Sequence, residues 1–290
     1  MIRKMFLALT VIGLIATSCS SDDDNTPATA NLTLNLSGLE ELGSDFVYEG
    51  WIIVDGSPVS TGVFTSVTFP QSFNVDAAQL DAATTFVLSI EPAVDTDPAP
   101  AATKILAGDF SGNSASVNSN ALVGDFSASS GKYILATPTD TDDSNEASGV
   151  WFLDNSSGSP MVGLDLPTLN DGWKYEGWAV IDGQPVSTGT FTSISSADDN
   201  ASSSPYKGDA NDGPPFPGED FLQNAPSGLS FPTDLKETTI VISVEPSPDN
   251  SPMPFTLKPL AHMVPANAEN HTVINMETGP VTMLSGTVTK

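Results

Sequence analysis

Leu32, Leu34 and Leu36 alternate with Asn31, Thr33 and Asn35 in "NLTLNLSGL", and Phe86, Leu88 and Ile90 alternate with Val87, Ser89 and Glu91 in "TTFVLSIEP". A period of two sends one set to each face of a β-strand. Short β-branched runs of this kind, bounded by Gly, Pro, Asn and Asp, recur roughly every ten residues. Helical patterning is confined to "DAAQLDAA" (Asp76 to Ala83), where Asp76 can cap the first turn, and to a single turn at "GEDFLQ". Parallel α/β folds need crossover helices that this chain does not offer. The pattern predicts an all-β protein of antiparallel β-sandwich, Ig-like domains.

The pattern also repeats. "YEGWIIVDGSPVSTGVFTS" starts at Tyr48 and "YEGWAVIDGQPVSTGTFTS" at Tyr175, 127 residues later. "TTFVLSIEP" from Thr84 and "TTIVISVEP" from Thr238 are 154 residues apart, so the second copy holds 27 extra residues between its two phrases (154 − 127). They fall in "ADDNASSSPYKGDANDGPPFPGEDFLQNAPSG", a composition typical of a surface loop. The expected organisation is a sandwich domain over 31–129 and a second over 130–290 that carries an acidic insertion at 197–228.

Within the repeated phrase, Phe46, Tyr48, Gly50, Ile52 and Val54 share one strand face, and Val47, Glu49, Trp51, Ile53 and Asp55 share the other. The first face is apolar and should meet the core, with the glycine admitting a close neighbour. The second, with Glu49 and Trp51, suits a half-covered surface. Asp-Gly then signals a tight hairpin, and "STG" (Ser60 to Gly62, Ser187 to Gly189) a bulge. Proline after the glutamate ends the later strand and holds that glutamate extended.

The beginning of the chain changes the setting. "MIRK" is basic, "MFLALTVIGLIA" is apolar but too short to cross a bilayer comfortably, and "ATSC" places small residues before Cys19. This resembles a bacterial lipoprotein signal at 1–18, with lipidation at Cys19. Cys19 is the only cysteine, so the chain has neither an internal disulfide nor a thiolate metal cage. Acyl chains would anchor the mature protein to a membrane. The acidic stretch 19–30 reads as a flexible tether and resembles the export signal of Bacteroidota surface lipoproteins, which implies an outer-membrane, surface-exposed location. The formal charge of −27 becomes −29 once Arg3 and Lys4 leave with the signal. Such a chain repels nucleic acid and anionic lipid, and acidic groups this dense raise the question of divalent cations.

Tryptophan before a "DG.P.S.G.F" hairpin, followed by an aliphatic-Glu-Pro strand end, resembles the C-terminal, extracytoplasmic domain of anti-sigma-K factors. The resemblance spans 46–67 with 84–109, and again 173–194 with 238–262. It implies an outer domain with a binding or sensing role and supplies no catalytic residues. The sequence contains no internal membrane helix and no sigma-binding domain, so direct sigma-factor binding is not expected.

Candidate chemistry is sparse. Glu49 with Glu91, and Glu176 with Glu245, could act as acid/base pairs or cation ligands, or could simply accept hydrogen bonds at strand ends. Trp51 and Trp178 could stack on a ligand or pack inside. Asp209, Asn211 and Asp212 in "DANDG" are the calcium candidates, although their spacing departs from the EF-hand loop. Two histidines and the absence of a Gly-x-Ser-x-Gly elbow leave nucleophilic and zinc catalysis without support. The expected protein is therefore a lipid-anchored, non-catalytic envelope protein without a required cofactor, contacting an envelope protein or ligand. The alternatives are a calcium-stiffened surface spacer or adhesion protein, and a carboxylate-based hydrolase.

Overall fold

The computed structural model describes residues 27–249 and 251–290; the signal segment 1–18, Cys19 and most of the tether lie outside the described residues. The first strand, Thr29–Ser37, begins two residues before the expected domain start, so Thr29 and Ala30 belong to the fold and not to the tether. Every strand pairing among the described residues is antiparallel.

One sheet of eight strands runs in the order Ser57–Phe64, Phe46–Val54, Thr85–Pro92, Lys104–Ser111, Ser114–Asn118, Ser285–Thr289, Thr29–Ser37 and Gln71–Asp76. Its two edge strands are consecutive in the chain and curl back towards each other, with the Phe64 and Phe73 rings 5.7 Å apart. The barrel-like roll buries Leu32, Leu34, Tyr48, Ile52, Phe86 and Leu88. Asp76 caps the one α-helix among the described residues, Ala77–Ala82, by accepting from the Gln79 N–H at 2.9 Å.

A second sheet runs Gln184–Phe191, Trp173–Ile181, Thr239–Pro246, Lys258–Met263 and Glu277–Val281. Shorter strands, among them Ser130–Leu135, Gly149–Trp151 and Gly218–Asp220, pack against it: the Phe152 ring lies over Gly177, and the Tyr133 hydroxyl meets His262 Nδ1 at 2.9 Å. Gly218–Asp220 corrects the helical turn expected at "GEDFLQ". Its backbone pairs with Gly149–Trp151, and all three residues are buried.

The expected division at residue 130 does not follow the sheets. Strand Ser285–Thr289 lies between Thr29–Ser37 and Ser114–Asn118, inside the sheet of the first repeat. The two repeats also share one apolar core. Gly172 packs on the backbone of Ala102 and Thr103, the Trp173 indole N–H donates to the Lys104 carbonyl at 3.2 Å, and Thr256 Oγ1 donates to the Gly38 carbonyl at 2.9 Å.

Candidate functional site

The two repeated phrases have the same local geometry. Asp55 and Gly56 both take positive φ (51° and 78°), as do Asp182 and Gly183 (50° and 80°), which is the tight turn that Asp-Gly favours. A bulge follows in both hairpins: Gly50 faces Gly62 while Trp51 faces Ser60, and Gly177 faces Gly189 while Trp178 faces Ser187. Tyr48 donates its hydroxyl to the Glu40 carbonyl at 2.8 Å and Tyr175 to the Pro167 carbonyl at 2.7 Å, each eight residues upstream. Phe86 covers Gly50 as Phe152 covers Gly177, the close approach expected of a core-facing glycine.

The other face of each hairpin carries the candidate carboxylates. Glu49 stands opposite Ser89 across the ladder, and Glu176 opposite Ser243. In the first repeat a chain of hydrogen bonds runs from Trp51 Nε1 to Ser89 Oγ (2.8 Å), and from Ser89 Oγ to Glu91 Oε1. In the second it runs from Trp178 Nε1 to Ser243 Oγ (2.7 Å), and from there to Glu245 Oε1. Each glutamate then reaches the main chain ten residues on: Glu91 accepts from the Ala101 N–H at 2.8 Å, and Glu245 from the Phe255 N–H at 2.9 and 3.1 Å on its two oxygens. Ser60 donates to Glu49, and Ser187 to Glu176.

Burial decides how these groups ionise. Removing a carboxylate from water favours its neutral form. Desolvation pushes Glu245 up to about 8, with Glu176 and Asp249 adding repulsion, and pushes Glu176 up to about 7. Glu91 is raised for the same reason, with Glu49 and Asp95 adding to the effect. Carboxylate oxygens of Glu176, Glu245 and Asp249 lie within 4.8 Å of one another, a group that could hold a metal ion. Near neutral pH such a cluster keeps a shared proton unless a cation replaces it. Asp249 and Asp95 each follow their glutamate by four residues, in "EPSPD" and "EPAVD", so the repeat offset could have found them.

Open space adjoins both faces. A cleft of about 430 Å³ is lined by Glu49, Trp51, Ser60, Val63, Glu91 and Asp95. Another, of about 340 Å³, lies where the two repeats meet, between Glu40, Phe46, Glu245, Asp249 and Phe255. Glu40 is pushed up to about 6 by burial there, opposed by the charge of Lys258.

Two sets of sequence candidates are corrected. Trp51 and Trp178 are only 3% and 2% exposed, so neither ring presents a stacking face. Both indoles donate to the serine-glutamate chains; the face around Trp51 is half-covered as expected, with Val47, Glu49 and Ile53 partly exposed, while in the second repeat Glu176 is buried along with Trp178. Asp209, Asn211 and Asp212 do not form a calcium cage. Lys207 Nζ already sits on Asp212 Oδ1 (2.9 Å) and on the Asn211 carbonyl (3.1 Å), while Asn211 Oδ1 accepts from the Gly213 N–H at 2.6 Å. The buried acids of the insertion are instead Asp198, Glu219 and Asp220. Burial pushes Asp198 up to about 7, Glu219 to about 8 and Asp220 to about 6.

An antiparallel β protein with enclosed serine-glutamate chains is the class that fold and site define. Residues 25–105 match a family model described as "Anti-sigma-K factor rskA, C-terminal". That segment, well under half of the chain, is thus anti-sigma-factor-like and includes the first hairpin, its Glu-Pro strand and Ala101. No curated protein and no solved structure matches the chain. Among the described residues no helix is long and apolar enough to cross a membrane.

Proposed function

We propose that the protein is a lipid-anchored, non-catalytic component of the bacterial cell envelope that binds or senses through domains like the outer domain of anti-sigma-K factors. The observation that carries the non-catalytic part is the occupation of Glu91 and Glu245. Both are 1% exposed and accept from a serine hydroxyl and from main-chain N–H groups, so they serve as anchors for the loops at 101 and 255. A general acid or nucleophile must instead face a substrate. The family match of residues 25–105 supports the binding or sensing role. The cleft where the repeats meet is the favoured contact point, because it joins the accessible apolar side chains of Leu42 and Phe46 to the carboxylates of Glu40 and Glu41.

Anchoring rests on the signal-like sequence before Cys19. Fractionation of cells expressing the wild type and Cys19→Ala tests it: the wild type should sediment with membranes and the variant should be released. Retention of the variant would sink the lipid-anchor reading. Assays against glycoside, ester and peptide substrates test the absence of catalysis. A turnover abolished by Glu176→Gln or Glu245→Gln would replace this reading with the hydrolase.

A further inference from the structure

The insertion of the second repeat covers a strand that the first repeat leaves bare. Gln184–Phe191 and Ser57–Phe64 are corresponding strands, each at the end of its sheet. The insertion runs along Gln184–Phe191. The Asp199 N–H donates to the Thr190 carbonyl at 2.8 Å, Gly218–Asp220 packs alongside, and Gly228 lies beside the Gln184 side chain. Pro185, Ser187 and Thr190 are half-buried as a result. Their counterparts Pro58, Ser60 and Val63 are exposed, Val63 by 58%. After Phe64 the chain turns back to Gln71–Asp76, whose Phe73 ring reaches Gly62 and leaves those three residues open.

The second repeat also supplies its own cation there. Lys174 Nζ sits on Asp199 Oδ2 at 2.6 Å, and Thr190 Oγ1 donates to the same oxygen at 2.8 Å. These contacts lie on the strand face that carries Glu176 and Trp178. The first repeat has Val47 where the second has Lys174, and Val63 where it has Thr190. The same place is therefore an apolar floor without a charge of its own. The cleft of about 430 Å³ that opens over it is lined by the carboxylates Glu49, Glu91, Asp95 and Asp97 and, among the described residues, by no basic side chain. Glu91 is turned inward to Ser89 and Ala101, but Glu49 is partly exposed and Asp95 and Asp97 are fully so.

We propose that this cleft docks an extended, basic segment of another polypeptide, which takes the place that the insertion takes in the second repeat. An extended chain turns every second side chain to the same side. One aliphatic side chain of the partner would rest on Val47 and Val63, and a lysine or arginine two positions on would reach Glu49, Asp95 and Asp97. A second copy of this chain fits less well. Pro58 withholds an N–H and the bulge at Ser60–Gly62 breaks the ladder, both of which oppose edge-to-edge pairing. Two chains of formal charge −27 also repel one another. The cleft shares no lining residue with the one where the repeats meet, so this is a second contact surface, beyond the one proposed above.

Fluorescence anisotropy of a labelled peptide, SVSKSVSK, titrated with the whole purified protein tests the site. Saturable binding with a Kd below about 1 mM is expected at low salt, and it should weaken as salt rises. SVSESVSE should not bind, and SSSKSSSK should bind much more weakly. Val63→Lys and Val47→Lys, the latter importing the cation of the second repeat, should each weaken binding about tenfold or more. Met161→Lys adds the same charge at an exposed position on another strand and should leave binding unchanged. No saturation, equal losses in all three lysine variants, or equal binding of SSSKSSSK overturns the proposal. So does a loss in Glu41→Gln with none in Val63→Lys, which moves the peptide to the other cleft. Sedimentation of the protein alone should show a monomer; a dimer that Val63→Lys dissociates assigns the strand to a second copy and overturns the proposal as well. Should Val47→Lys fail to fold, Val63→Lys, at a more exposed position, decides.

Discussion

Glu91 and Glu245 hold their loops by accepting hydrogen bonds, so the shape of the acceptor matters more than its charge. Alanine at either position strands a serine hydroxyl and a main-chain N–H in the interior, at a cost of about 1–3 kcal/mol. Glutamine keeps one accepting oxygen and should cost less; urea denaturation of the Ala and Gln variants measures the gap, which equal losses would contradict. The raised carboxyl groups give pH dependence a definite sign. Glu176 and Glu245 hold their protons to about 7 and 8 when folded, against about 4.5 in the unfolded chain, and Asp198 and Glu219 behave alike. Between pH 4.5 and 8 the native state binds more protons than the unfolded one, so the melting temperature should rise as pH falls through that window. A Glu176→Gln, Glu245→Gln double variant should flatten the slope, and a wild-type melting temperature that falls from pH 8 to pH 5.5 would show the burial effect to be misjudged. The sequence displayed these glutamates because both copies keep them. It could not display that the neighbouring tryptophans are covered, since a period of two assigns a face but not what packs on it.

At the scale of elements, local chemistry was the legible part. Asp-Gly turns, the Ser-Thr-Gly bulges, the Asp76 cap and the Glu-Pro strand ends all formed where their own residues demanded them. Strand Ser285–Thr289 was opaque for the opposite reason: its partners begin at Thr29 and Ser114, and nothing local in "SGTVT" names them. "GEDFLQ" misled in the same way, because its pairing partner at 149–151 overrides a weak helical tendency. Deleting residues 285–290 should unpair two strands, expose the fully buried Val288 position and remove Lys290 from the carbonyls of Leu80, Asp81 and Ala83 (3.2, 3.0 and 2.9 Å). Hydrogen exchange should then quicken at Leu32–Leu36 and Ala115–Val117 while Trp178–Ile181 stays protected. Unchanged protection at Leu32–Leu36 would mean the strand adds little.

For the molecule as a whole, the repeats behave as one body because one core and one shared sheet join them. Calorimetric unfolding should therefore give a single transition whose van't Hoff and calorimetric enthalpies agree, whereas two resolved transitions would mean the repeats melt independently. The sequence, read as successive copies, divided the chain at residue 130; a strand pairing across 248 residues is invisible to any local pattern. That pairing also sets an order of events. If the chain is threaded through a membrane channel from its first residue onwards, the strand that closes the eight-stranded sheet emerges only after residues 38–284. Until it does, Thr29–Ser37 and Ser114–Asn118 each keep a bare edge, and the strands made first have to wait, unlocked, for residues 285–289.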